Sequence, residues 1–302
     1  MSDLLPPQAA PQPGPAPTGP APTVPNSPTG GSSDGTPRPS ARVVSLLTVA
    51  LGAGVAVVVA GGAVFSGIAS AVVRTESRTI DARGIAELDV DISAGSLEVV
   101  FGDVDEATLE VTSGGGAERW VLERDGDELV VASPEWMLGA GWIFGGSGRA
   151  TLTLPQVLER TVLDAQLSLA AGDLEATGNF GDLDIEMGAG DATVTGTARE
   201  LSADVSAGRA ELELAGVVDA ELTLSAGQLD ARLTGDAPDL VQIDVSAGSL
   251  DLTLPEGTYD VASNVSAGTV DNRLDTSPGA VHRVVVEVSA GQVILSARGG
   301  LR

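Results

Sequence analysis

The chain has 302 residues, with 42 acidic side chains against 16 basic ones and a formal net charge of −26. It contains no cysteine and one histidine, which excludes disulfides, thiolate nucleophiles, iron–sulfur clusters and cysteine zinc sites. A chain this acidic repels nucleic acid, so no nucleic-acid partner is expected.

The charge is unevenly placed. Asp3, Asp34, Arg38 and Arg42 sum to zero over residues 1–73, so the remaining 14 arginines and 40 acids give 14 − 40 = −26 after that point. Residues 1–42 are dominated by Pro, Ala, Thr, Gly and Ser. Such a tail buries too little apolar surface to offset its conformational entropy, and it is expected to be disordered with polyproline II character.

Residues 43–73 carry no charge between Arg42 and Arg74, a run of 31 positions. About 20 apolar residues in helix span a bilayer core, so the run predicts one transmembrane helix. The leader before it is too long for a cleaved signal peptide. Arg38 and Arg42 precede the run and Arg74 and Arg78 follow it, so basic residues alone do not orient it.

From residue 74 onward the pattern becomes strand alternation around a recurring Ser-Ala-Gly core. It appears in DISAGSLEV (91–99), DVSAGRAELEL (204–214), IDVSAGSLDLTL (243–254) and VEVSAGQVIL (286–295), among others. The anchor glycines are Gly95, Gly172, Gly190, Gly208, Gly227, Gly248, Gly268 and Gly291, spaced by 77, 18, 18, 19, 21, 20 and 23. A period near 20 with strands on both sides of a small-residue corner predicts a β-solenoid over 74–302. Stacked strands lie about 4.8 Å apart, so a bulky corner residue would meet its own copies above and below. Glycine also supplies a positive φ angle where the corner needs one.

The long first interval holds TLEVTS (108–113), a hairpin around Asp125-Gly126, and TLTLP (151–155). It is expected to form an N-terminal cap or side hairpin. Trp136, Met137, Trp142, Ile143 and Phe144 fall inside it, between glycines. They form the candidate patch for contact with a partner or a membrane interface.

These residues together resemble the bacterial toast-rack family, also described as a putative adhesin or β-strand-repeat domain of unknown function. The ISAGSLEV opening, the hairpin-containing insertion, the Thr-Leu-Pro strand and the (Ser/Ala)-Ala-Gly-(Asp/Ser)-Leu-Asp units carry the resemblance, over about 80–298. It implies a right-handed single-stranded β-helix in a cell-envelope setting, often near envelope-stress systems. The expected localisation is therefore the cell membrane, single-pass, with the N-terminus cytoplasmic and the C-terminal domain extracytoplasmic. The family brings no catalytic residues.

The acids themselves recur at fixed places in the repeat. Asp91, Asp204, Asp244, Asn264 and Glu287 stand four residues before an anchor glycine; Glu98, Glu175, Glu211, Asp230, Asp251 and Asp271 stand three after one. Stacking would align them in ladders that water, salt or calcium must screen. No calcium-repeat or EF-hand pattern accompanies them, and no cofactor or small-molecule substrate is expected. Motifs of nucleophilic or zinc hydrolases and of phosphate-binding loops are missing, and the arginines share no repeat position, which argues against a polysaccharide-cleaving β-helix. His282, in AVHRVVVEV (280–288), reads as a satisfied strand residue. The sequence thus predicts a non-catalytic, membrane-anchored envelope module that acts by protein or envelope binding, with an envelope membrane protein as candidate partner and envelope-stress sensing as a candidate use. The alternative is a passive adhesin-like or scaffold surface protein.

Overall fold

A computed structural model describes residues 74–114, 116–134 and 148–298. The described residues all fall in the second of the two units into which the chain divides, 66–302. The Pro-rich tail (1–42), the apolar run (43–73) and the aromatic patch (Trp136 to Phe144) lie outside the described residues.

The described residues are all-β, apart from two short 3-10 turns. In chain order the strands are β1 (Arg74–Ile80), β2 (Glu87–Ile92), β3 (Gly95–Gly102), β4 (Ala107–Ser113), β5 (Val121–Asp125), β6 (Glu128–Ala132) and β7 (Arg149–Pro155). Then come the long β8 (Leu163–Thr197), β9 (Glu200–Val205), β10 (Arg209–Ala215), β11 (Asp219–Leu224), β12 (Gln228–Thr234), β13 (Leu240–Val245) and β14 (Ser249–Pro255). The last are β15 (Thr258–Asn272), β16 (Asp275–Thr276) and β17 (His282–Arg298).

Strict alternation decides which side chains go inside. In β10, Ala210, Leu212 and Leu214 are buried while Glu211 and Glu213 are exposed. The same rule places Leu201, Ala203 and Val205 of β9 and Leu222 and Leu224 of β11 in one apolar core. Strands before each glycine corner pair in parallel in one ladder, running β9–β11–β13–β17–β15. Strands after it pair in a second, through β8–β10–β12–β14–β17. β8, β15 and β17 pass through their corners without a break, so one strand serves both ladders.

The corner itself is built from glycine on glycine. Gly172 and Gly190 have φ of 125° and 122°, in the region that L side chains rarely adopt. A Cβ at Gly190 would collide with the Gly172 carbonyl oxygen. Both reasons for glycine therefore act at once: a positive φ, and a neighbouring backbone in the space a side chain needs.

The connectivity corrects the expected right-handed single-stranded β-helix. Such a helix adds its coils in chain order. Here all 17 described strands belong to one hydrogen-bonded sheet, whose parallel strands close around the core with further strands added outside them. At one end β2 and β3 pair with β8 although some 60 residues separate them in sequence. The strands of that insertion return on the outer side: β6 and β7 in parallel with β2 and β3, and β4 antiparallel to β7. At the other end β17 lies between β13 and β15, so the last coil in sequence is not the last in the stack. The physical reason is that a repeat period measures coil length, whereas pairing order depends on which apolar rows fit together.

The expected single-pass membrane localisation is corrected as far as the described residues reach, the apolar run 43–73 lying outside them. The described residues contain no α-helix, and none of their helices is long and apolar enough to cross a membrane.

Candidate functional site

The register turns the acids into columns. Beside the glycine corner of the first ladder, Glu186 is opposite Asp204, Asp204 is opposite Thr223, Thr223 is opposite Asp244, and Asp244 is opposite Glu287. At the β2 end Asp91 is opposite Ser168, and at the far end Glu287 is opposite Asn264. Alignment on the anchor glycines collects Asp91, Asp204, Asp244, Asn264 and Glu287. The structure adds Glu186, which stands four residues before Gly190 in a copy whose serine is replaced by Gly188. The threonine and serine between carboxylates break the ladder into close pairs, Glu186 with Asp204 and Asp244 with Glu287.

Two hollows follow this column. One, of about 400 Å³, is lined by Asp91, Glu186 and Asp204 with the hydroxyls of Ser168 and Ser206. The other, of about 210 Å³, has Glu221, Asp244 and Glu287 in its wall. The described strand positions of this column hold no arginine.

The second ladder carries a tighter row: Glu211 opposite Asp230, and Asp230 opposite Asp251. Burial pushes the Asp251 carboxyl up from the usual carboxylate range, and the neighbouring Asp230 adds to the effect while Arg273 opposes it. Ile294 then separates Asp251 from Asp271, which pairs with Arg273. Next to this row, Arg232 binds Glu213 in the neighbouring strand. Arg199 holds both Asp182 and Glu200, on adjacent strands. The arginines that looked scattered in sequence thus relieve particular carboxylate contacts across strands.

A third acidic group lies where β2 meets the β5–β6 hairpin. Burial raises the Asp89 pKa, and Asp91 and Glu87 raise it further. Glu128 is also raised, by burial first and then by Glu87, Asp89, Asp125 and Asp127. Among the described residues, however, no three or more His, Cys, Asp or Glu side chains converge as a metal ion requires. Ladder geometry spreads the carboxylates along a line instead of wrapping them around a point, so the calcium idea finds no built site.

His282 has the satisfied setting expected of it. Its Nδ1 lies 3.0 Å from the Pro238 carbonyl oxygen, and its ring centroid is 5.9 Å from that of Tyr259. One mainly apolar recess, about 430 Å³, lies outside the acidic columns among Ile85, Val104, Pro155, Val157 and Leu158, with Arg83 and Asp105 also in its lining.

No family model matches the chain, and no curated protein matches it. Solved structures similar to it include a putative cell adhesion protein from Clostridium sporogenes, with 13% identity over 75% of this chain and 100% of that one, at a TM-score of 0.39. A putative adhesin from Bacteroides fragilis matches with 12% identity over 74% and 97% of the two chains, at 0.38. A putative lipid binding protein from Parabacteroides distasonis matches with 14% identity over 72% and 96%, at 0.39. The description "putative adhesin" is the one the sequence resemblance carries.

Proposed function

We propose that the chain is a non-catalytic binding module that engages a cationic protein surface through the carboxylate column beside the glycine corner. The observation that supports this most directly is the hollow shared by Asp91, Glu186 and Asp204, with serine hydroxyls at its edge and no arginine in its column. Aligned carboxylates in a shallow groove focus negative potential and favour a partner that brings arginine or lysine. A flat array on rigid strands suits recognition better than acid–base chemistry, which needs a carboxyl paired with a reacting group in a cleft.

Anisotropy titration of the full chain with a labelled oligo-arginine peptide, at low and at physiological salt, tests the reading. The combined variant Glu186→Gln, Asp204→Asn, Asp244→Asn should weaken binding several-fold and flatten the salt dependence. An equal loss on neutralising Glu211, Asp230 and Asp251 would reduce the effect to general acidity and end the proposal. Crosslinking in cells then separates two biological uses: capture of a regulatory protein points to stress sensing, and capture of wall glycan points to adhesion.

A further inference from the structure

The two ends of the strand stack are built differently. At the β1 and β5 end the outermost strands run antiparallel to their neighbours and carry Arg74, Glu76, Arg78, Glu123 and Arg124. At the other end the outermost strand is β15. It pairs with β17 along its length, and β16 covers only Thr258 and Tyr259. Among the described residues no strand lies on the other side of 260–272.

A free edge of this length presents a row of backbone donors and acceptors, and proteins usually protect it with proline, lysine, inward charge or a bulge. β15 contains no proline or lysine, and the positions paired with the buried row of β17 are Val261, Ser263, Val265, Val270 and Asn272. Val265 is 39% exposed, whereas its neighbour Val288 on β17 is 2% exposed. Charge is also different here. Residues 258–298 hold three arginines (273, 283, 298) and four acids (260, 271, 275, 287), so 3 − 4 = −1 out of the chain's −26. The self-repulsion expected of an acidic chain is nearly absent at this end.

We propose that the β15 edge is a self-association surface, on which a second copy of this chain docks antiparallel to form a closed two-fold dimer. Because the opposite end does not match β15, the contact is isologous and stops at two copies. Inward side chains must remain inward on both copies. With the two corners superposed, that condition sets Ser263 opposite Val270 of the second copy, Asn264 opposite Thr269, and Ala262 opposite Asp271. No carboxylate then opposes another.

The chain has no cysteine, which makes the register directly testable. Full-length Asn264→Cys and Thr269→Cys proteins, mixed and mildly oxidised, should give a disulfide-linked dimer several-fold faster than either variant alone. Sedimentation of the unmodified chain should report the two-copy mass. Ser263→Lys, which puts an inward charge on the edge, should return it to the single-copy mass while its circular dichroism spectrum stays that of the folded chain. A single-copy mass for the unmodified chain, equal crosslinking in the unmixed samples, or a dimer that survives Ser263→Lys would each overturn the proposal.

Discussion

The Tyr259 hydroxyl donates a 2.7 Å hydrogen bond to the Pro255 carbonyl oxygen across the turn at 256–258, and both residues are buried. Tyr259 is fully buried and is the only tyrosine in the chain, so it reports on this end of the core without interference. Tyr259→Phe keeps the ring and strands the carbonyl, and should cost about 1–2 kcal/mol in urea unfolding. Burial pushes its pKa up to about 12. The folded value lies above the unfolded one, so this stabilising contribution is complete below about pH 10 and is lost as pH rises toward 12. Ultraviolet titration should leave the tyrosine mostly un-ionised at pH 11 while the fold persists; early ionisation would contradict the burial.

Gly190 tests the corner in the same way. An alanine there must hold a strained φ and push its Cβ against the Gly172 carbonyl. Gly190→Ala should destabilise by about 3 kcal/mol from strain and overpacking combined. Ala189→Ser, one residue earlier and exposed, should cost almost nothing. Equal effects of the two would mean that the corner tolerates side chains and that glycine is dispensable there.

These corners were legible in the sequence because two physical demands act on one position in every coil. Alternation was legible for the same reason, since each inward residue repeats the choice made two positions away. Gly148 also stacks in this column, against Gly95, but was missed because the residues before it do not form Ser-Ala-Gly. Stacking order was harder to read. Coils ending in Gly268 and Gly291 have nearly identical corners, and chain order put the first inside the second. The contrary signal was present on the inward row: β15 has Ser263 and Asn272 where β17 has Val286 and Leu295. A polar inward row belongs at the end of a stack, where water reaches it. Local patterning could not, however, show that β4 to β7 return on the outer side of β2 and β3, because that pairing is entirely long-range.

The Glu211, Asp230 and Asp251 row gives a prediction of opposite sign to most mutations. Burial and Asp230 raise the Asp251 pKa despite Arg273, so the charged form is disfavoured in the fold. Asp251→Asn should therefore stabilise the chain at neutral pH by about 0.5 kcal/mol, the scale of a like-charge cross-strand pair. Thermal melting in low salt is the sensitive measurement. A loss of stability instead would mean that attraction to Arg273 outweighs both effects.

Asp89, Glu128 and Asp251 all have pKa values raised by burial first and by neighbouring carboxylates second. In each case the folded protein holds its proton to higher pH than the unfolded chain. Their stabilising contribution is therefore complete at acidic pH, below the ordinary carboxylate range, and is lost as pH rises through the raised values. This is the reverse of the usual acid denaturation driven by paired carboxylates. The melting temperature should rise as pH is lowered from neutrality toward 5, and adding salt at neutral pH should produce part of the same gain by screening the exposed columns. Combining Asp89→Asn with Asp251→Asn should reduce the pH dependence while leaving the plateau at low pH in place. If instead the melting temperature falls steadily on acidification, arginine pairs such as Arg199 with Asp182 and Arg232 with Glu213 control the balance.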